Sequence, residues 1–361
     1  MIVLGIESSC DETAAAVVNS QGKILANVLR SQITDHEFYG GVVPEIAARS
    51  HLDHLDKIIS SAMKQADISF DELDGVAATA GPGLIGALMV GLMTGKAIAA
   101  TNQKPLIALN HLEGHALSPR LVDQEVSFPY LLLLVSGGHC QLLIVQGVGK
   151  YKRLGTTIDD APGEAFDKVS KLLGLGYPGG PAIEKAANRG NPRKYKLPRP
   201  LVGRDGCDFS FSGLKTAVFH LIQKIGDTEL RLDKQHKYDI AASFQSAVSE
   251  VIRDRTESAL REYRKLNLKQ ENLVVAGGVA ANSQLRENLE DMAQKLKIRL
   301  SIPHPSLCTD NGAMIAWGGI ERLKLGLIDG YEFAPRARWP LDPNAVRPPG
   351  MGLPGKLGMK A

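Results

Sequence analysis

Uninterrupted apolar runs alternate along the chain with segments whose apolar positions recur every three or four residues, a strand–helix alternation that predicts an α/β protein. Two of the runs break in the same way. Ile2-Val-Leu-Gly-Ile-Glu7 passes through Ser8-Ser-Cys-Asp11 and resumes toward Val18, and Leu131-Leu-Leu-Leu-Val135 passes through Ser136-Gly-Gly-His139 and resumes as Cys140-Gln-Leu-Leu-Ile-Val145. Each predicts a β-hairpin whose turn exposes backbone N–H groups without side chains in the way, the geometry that lets a main chain approach phosphate. A third run, Leu273-Val-Val-Ala-Gly-Gly278, breaks at a glycine pair and leads through Asn282 into a helix. One glycine turn commonly signals no more than a turn. Three such breaks, two of them duplicated, point to a nucleotide held in a cleft between two similar lobes.

Helical spacing begins at Pro44, a residue tolerated in a first turn, and runs through Ile46, Leu52, Leu55, Ile58, Ile59 and Ala62. A strand at 76–79 meets Gly81-Pro-Gly83 and a helix at 84–100, and a strand at 105–109 delivers the chain to His111. Later helices are expected at 165–173, 212–225, 238–263 and 311–325. A glycine-rich turn is expected at 174–181, and a long functional or mobile loop at 188–210. The reading divides the chain into a first lobe over 1–110, completed by the helix near 311–325, and a second lobe over 111–340. The metal and nucleotide site lies at their interface, and the Pro/Gly-rich residues 341–361 form a disordered tail.

Composition narrows the classes. The 361 residues are 44% hydrophobic, enough for two α/β cores, and a net charge of +3 permits a nucleic-acid partner without demanding one. The four cysteines, Cys10, Cys140, Cys207 and Cys308, form no Cys-x-x-Cys pair, which fits free thiols in a reduced compartment. The first residues enter a strand without a basic leader, so a cytoplasmic location is expected. The apolar stretch 84–100 contains Gly86, Gly91, Thr94, Gly95 and Lys96, which predicts a helix buried against a sheet and no membrane span.

Candidate chemistry starts at His111-Leu-Glu-Gly-His115. On a helix both imidazoles share a face and could share a metal, although two unrelated histidines at a helix start fit the spacing as well. Glu113 projects away from that face, so the zinc-protease arrangement, with Glu directly after the first His, is not reproduced. Asp310, in Cys308-Thr-Asp-Asn-Gly312, is a candidate third ligand and equally a candidate N-cap. Two His and one carboxylate suit Fe(II) or Zn(II) better than Mg(II). Cys308 is better read as a small buried apolar residue than as a fourth ligand. Asp159, Asp160, Glu164 and Asp167 crowd a helix start, where acidity suits the dipole. Asp167 and Glu184 could instead bind ribose hydroxyls.

These segments closely resemble the tRNA N6-adenosine threonylcarbamoyltransferase family, formerly called O-sialoglycoprotein endopeptidases. The resemblance spans Ile2 to about Leu341. It includes Gly5-Ile-Glu-Ser-Ser-Cys-Asp-Glu-Thr13, Gly40-Gly-Val-Val-Pro-Glu45, His111-Leu-Glu-Gly-His115, Val135-Ser-Gly-Gly-His139, Gly163-Glu-Ala-Phe-Asp-Lys168, Tyr177-Pro-Gly-Gly-Pro181, Asp208-Phe-Ser-Phe-Ser-Gly-Leu-Lys215 and Cys308-Thr-Asp-Asn-Gly312. Cys140 and Ala280 stand where Thr and Ser are expected. The resemblance implies two duplicated RNase H-like lobes of the actin-like, sugar-kinase and Hsp70-like ATPase architecture. It also implies transfer of threonylcarbamoyl from threonylcarbamoyl-AMP, made by a separate synthase, to N6 of the adenosine 3′ to the anticodon in tRNAs reading codons that begin with A. It carries over His111, His115 and Asp310 as ligands of one divalent metal ion per subunit, iron(II) favoured over zinc(II). Leu134, Val135, Ser136, Gly137, Gly138, Asp167, Gly180, Glu184 and Asn282 carry over as substrate-binding positions. Auxiliary subunits, an inactive paralogue and a small ATPase in bacteria, are implied as partners, with no membrane. Asp11 is the candidate general base, and capping of its turn would explain it equally well. A metal-dependent glycoprotease, or an ATP-dependent kinase or chaperone on the same fold, are the alternative classes.

Overall fold

A computed structural model describes residues 1–226, 232–268 and 271–346. Among the described residues ten strands form two five-stranded sheets. In the first, β1 (Ile2–Glu7) pairs antiparallel with β2 (Glu12–Asn19), which pairs antiparallel with β3 (Ile24–Ser31). On its other edge β1 runs parallel to β4 (Gly75–Gly81), and β4 to β5 (Leu106–Asn110). The second sheet repeats this plan. β6 (Tyr130–Val135) pairs antiparallel with β7 (Cys140–Gly147), β7 antiparallel with β8 (Lys150–Thr156), and β6 parallel with β9 (Asn272–Ala276), which borders β10 (Arg299–Ser301). The two orders, β3-β2-β1-β4-β5 and β8-β7-β6-β9-β10, are the same topology used twice.

Both faces of each sheet are covered. The helices Pro44–Ala66 and Ile85–Thr101 pack on one face of the first sheet, and the helix Gly312–Leu323 returns late in the chain to cover the other. That late helix lies so close that a Cβ on Gly5 would sit 2.2 Å from the Ala316 backbone nitrogen. Under the second sheet lie the helices Pro162–Leu173, Gly179–Ala187, Ser212–Ile225 and Lys234–Arg264, and on its far face the short helix His111–Leu117.

Four expectations change. The residues expected as a glycine-rich turn contain the first turn of the helix Gly179–Ala187; Pro181 is tolerated there because first-turn N–H groups have no intrahelical acceptor. Gly179 is required, since its Cβ would stand 2.5 Å from the Asp167 Cα. The helix Ile85–Thr101 is buried on one side only: Ile85, Met89 and Met93 form an outer row that is 49%, 51% and 56% exposed. The loop 188–210 is tied down along the helix Lys234–Arg264. Asn191 and Tyr195 donate their N–H groups to Asp239 and Ser243, Arg199 grips Glu250 with two bonds of 2.9 Å, and Arg255 donates to the Arg204 carbonyl. Finally, order continues past 340: Leu341 is buried and the Arg153 N–H donates to Asp342 at 2.9 Å. The remainder of the expected tail, 347–361, lies outside the described residues. Among the described residues no helix is long and apolar enough to cross a membrane.

Candidate metal centre and cleft

β5 ends at Asn110, whose side chain accepts the Leu112 N–H at 2.9 Å and so caps the helix His111–Leu117. Capping fixes the helix start, and both histidines fall on one buried face. Their rings stand 4.8 Å apart, nearly perpendicular. The His115 Nε2 lies 3.0 Å and the His111 Nε2 3.5 Å from the same Asp310 oxygen, and the three groups offer ligand atoms all within 4.8 Å of one another. Asp310 is not the helix cap. Asn311 is, accepting the Met314 N–H at 3.0 Å, which leaves the Asp310 carboxylate to the histidines.

Sequence reasoning missed Glu7, a buried carboxylate at the end of an apolar strand, and that placement was the available signal. Its Oε2 lies 3.0 Å from the His111 Nδ1 and accepts the Thr79 hydroxyl at 2.6 Å. With Nδ1 held by Glu7, the His111 Nε2 is the atom turned to the shared point, the tautomer a metal requires. Burial alone would raise the Glu7 carboxyl, but the charge and hydrogen bond of His111 hold it below its ordinary value. Burial likewise opposes charge on His111, yet Asp310 and Glu7 lift it to about 9. For Asp310 the penalty of burial is overcome by His111 and His115, which hold the carboxyl well below the carboxylate range. Two clustered imidazoles, one committed anion and an N, N, O donor set are what a divalent borderline ion fits. Cys308 is no part of the set: its Sγ donates to the Pro303 carbonyl and lies beside the Arg286 guanidinium.

The centre opens into a cavity of about 250 Å³ between the two hairpin turns. Asp11, Cys10 and Glu12 line it from the first lobe; Ser136, Gly137, Gly138 and His139 line it from the second. Burial, with Asp310 and Asp11 adding, pushes the Glu12 carboxyl well above its ordinary value. Leu134 and Val135 are wholly buried in β6, so they serve the site by carrying the turn. The Ser136 hydroxyl accepts the His139 N–H at 3.1 Å, and nothing lies within 4 Å of where a Cβ on Gly137 or Gly138 would stand.

The other expected substrate positions form a second group on the same lobe, outside the lining of this cavity. Asp167 accepts the Gly179 N–H at 2.7 Å through Oδ1, and Glu184 accepts the Ser283 N–H at 2.8 Å through Oε1. Asn282 caps the helix Ser283–Leu296 and donates to Gln245 at 2.8 Å. Gly180 lies in the first turn of its helix with open space where a Cβ would project. Tyr177, which sequence reasoning quoted without a role, joins the groups. It lines the cavity, and burial followed by the charges of Asp11 and Asp167 raises its phenol. Asp159 belongs to neither group, because it accepts the Phe211 and Ser212 N–H groups at the start of another helix.

The sequence profile of the family described as tRNA N6-adenosine threonylcarbamoyltransferase matches residues 23–317. The chain belongs to that family. A relative bearing the family's name in Paramagnetospirillum magneticum is 58% identical over 345 residues, covering 96% of this chain and 98% of the relative. Another in Rhodospirillum rubrum is 57% identical over 355 residues, 97% of each chain. The family is one of acyltransferases. Among solved structures, component A of the (R)-2-hydroxyglutaryl-CoA dehydratase of Acidaminococcus fermentans superposes with a TM-score of 0.51 at 14% identity, covering 90% of this chain and 99% of that one. The duplicated lobes are therefore of the actin-like, sugar-kinase type.

Proposed function

We propose that this chain transfers the threonylcarbamoyl group of threonylcarbamoyl-AMP to N6 of the adenosine 3′ to the anticodon in tRNAs reading codons that begin with A. One observation carries the reading: His111 and Asp310, clustered with His115, line one cavity of about 250 Å³ together with Asp11 and the open Gly137-Gly138 turn. In the reaction the N6 amine attacks the carbamoyl carbon. The C–N bond forms, the bond from that carbon to the phosphate oxygen breaks, AMP leaves with the electron pair, and the amine gives up a proton. Asp11, which lines the cavity, would accept that proton. The N–H groups of Gly137 and Gly138 suit the adenylate phosphate. Asp167 and Glu184 each keep one carboxylate oxygen that accepts no bond among the described residues, and these suit the ribose hydroxyls. An iron(II) or zinc(II) ion held by His111, His115 and Asp310 would polarise an oxygen of the mixed anhydride.

The glycoprotease reading has no water-activating glutamate in the His111–His115 motif, since Glu113 is buried against Arg322, Tyr151 and Gly149. Partner subunits are supported by the exposed row Ile85, Met89 and Met93 and by Leu52 on the adjoining helix, packed there through Ala48 and Gly86. A cytoplasmic location follows from the tRNA substrate. The test is to incubate the chain and its auxiliary subunits with threonylcarbamoyl-AMP and unmodified tRNA, then analyse the nucleosides. Threonylcarbamoyladenosine is the expected product; its absence, with release of free threonine and AMP alone, overturns the reading.

A further inference from the structure

Glu113 sits between the two histidines in sequence and points the other way in space. It is 2% exposed, on a helix of seven residues that is buried throughout. A helix this short is not stable on its own, so bonds from outside it must set its position. At its start Asn110 caps Leu112 and donates to the Trp339 carbonyl at 2.9 Å. In its middle Glu113 accepts three bonds: from the Gly149 N–H at 2.9 Å, from the Tyr151 hydroxyl at 3.0 Å and from the Arg322 Nη1 at 3.0 Å.

Those donors belong to different parts of the molecule. Gly149 and Tyr151 stand at the β7–β8 turn of the second sheet. Arg322 is in the last turn of the helix Gly312–Leu323, which packs on the first sheet and whose N-terminal end begins two residues after Asp310. One buried carboxylate thus joins the helix carrying two ligands, the helix following the third, and the hairpin whose other turn lines the cleft. We propose that Glu113 is a positioning residue for the metal centre: through Arg322 it fixes the angle between the helix that carries His111 and His115 and the helix that follows Asp310, and through Tyr151 and Gly149 it ties that angle to the second lobe. Metal sites need their ligands held to within about half an ångström, and an oriented buried ion pair supplies such a constraint where a seven-residue helix does not.

The inference rests on the metal-site reading above, and the test separates the two. Zn(II) affinity is measured by competition with a chromophoric chelator, alongside transfer kinetics and melting temperature, on the full chain with its auxiliary subunits. Glu113→Gln keeps the shape and loses the charge; it is expected to weaken Zn(II) about tenfold, as loss of a group that orients a ligand does, and to lower kcat while KM for the adenylate stays unchanged. Arg322→Lys, which retains one charged donor, should stay near wild type, and Arg322→Met should follow Glu113→Gln. Tyr151→Phe removes only a hydroxyl and should shift affinity in the same direction by less. If Glu113→Gln fails to fold, Arg322→Met and Tyr151→Phe decide. Wild-type Zn(II) affinity in the folded variants, with only the melting temperature lowered, overturns the proposal. In that event loss of binding in His115→Ala leaves the metal site standing, whereas a wild-type chain that binds no Zn(II) overturns both.

Discussion

At the scale of single residues, Glu7 decides which nitrogen of His111 faces the cavity, and Asp310 then brings both imidazoles to one point. Removing a ligand should therefore empty the site. His111→Ala and Asp310→Ala are expected to lose bound iron or zinc by elemental analysis and to lose transfer, with circular dichroism unchanged; full metal content in both would refute the assignment. Protons compete with metal for the same atoms. In the metal-free protein His111 is raised from 6.5 to about 9 by its two carboxylates against the pull of burial. The folded state then binds more protons than the unfolded chain between those values. This contribution to stability is complete below about pH 6.5 and is lost as pH rises through about 9. Denaturant midpoints of metal-free protein should fall across that window, and metal affinity should rise across it as the proton leaves. A flat midpoint between pH 6.5 and 9 would contradict the His111–Glu7–Asp310 geometry.

Among the elements, the loop 188–210 presents a split set of cations. Arg199 is committed to Glu250 and Arg189 stacks on Tyr238, whereas Arg193, Lys194 and Lys196 are exposed and make no ion pair among the described residues. Three exposed cations on an anchored loop suit phosphates of the tRNA. Replacing all three by Ala should reduce the slope of log K for tRNA against log salt by about 2–3, with adenylate affinity unaltered; an unchanged slope would place the tRNA elsewhere. The anchoring itself was illegible in sequence, because it depends on Asp239, Ser243 and Glu250 lining one side of a helix more than forty residues downstream. Strands and turns were more legible. Five-residue runs of Leu and Val cannot be solvated, and Ser-Gly-Gly marks where such a run must reverse. The helix Gly179–Ala187 was missed because Gly-Gly-Pro argues locally for a turn, and only the 2.5 Å approach to Asp167 explains the glycine. His111, His115 and Asp310 could be nominated from spacing and family motif, but Glu7 entered through a bond spanning 104 residues.

For the whole molecule, duplication brings two hairpin turns to one cavity, so that Cys10, Asp11 and Glu12 of the first lobe meet Gly137 and Gly138 of the second beside His111 and Asp310. The same architecture leaves the first lobe with an asymmetry. Its helix Ile85–Thr101 is apolar on both sides, yet the sheet covers only one, and Ile85, Met89 and Met93 repeat every four residues along the outer face beside Leu52. A continuous row of large apolar side chains is costly to leave in water and typical of an interface. Covering a Met side chain fully is worth about 1.5–3 kcal/mol, so Met89→Glu with Met93→Glu should weaken association with the auxiliary subunit by roughly a hundredfold or more. Because neither residue reaches the cavity, Zn(II) affinity and adenylate binding should stay at wild-type values, while transfer to tRNA measured with the auxiliary subunit falls with the loss of the complex. Size-exclusion chromatography of the mixed subunits reads the first effect directly. A double variant that still co-elutes with its partner would assign the row to some other contact, and one that loses zinc would show that the substitutions had damaged the lobe itself.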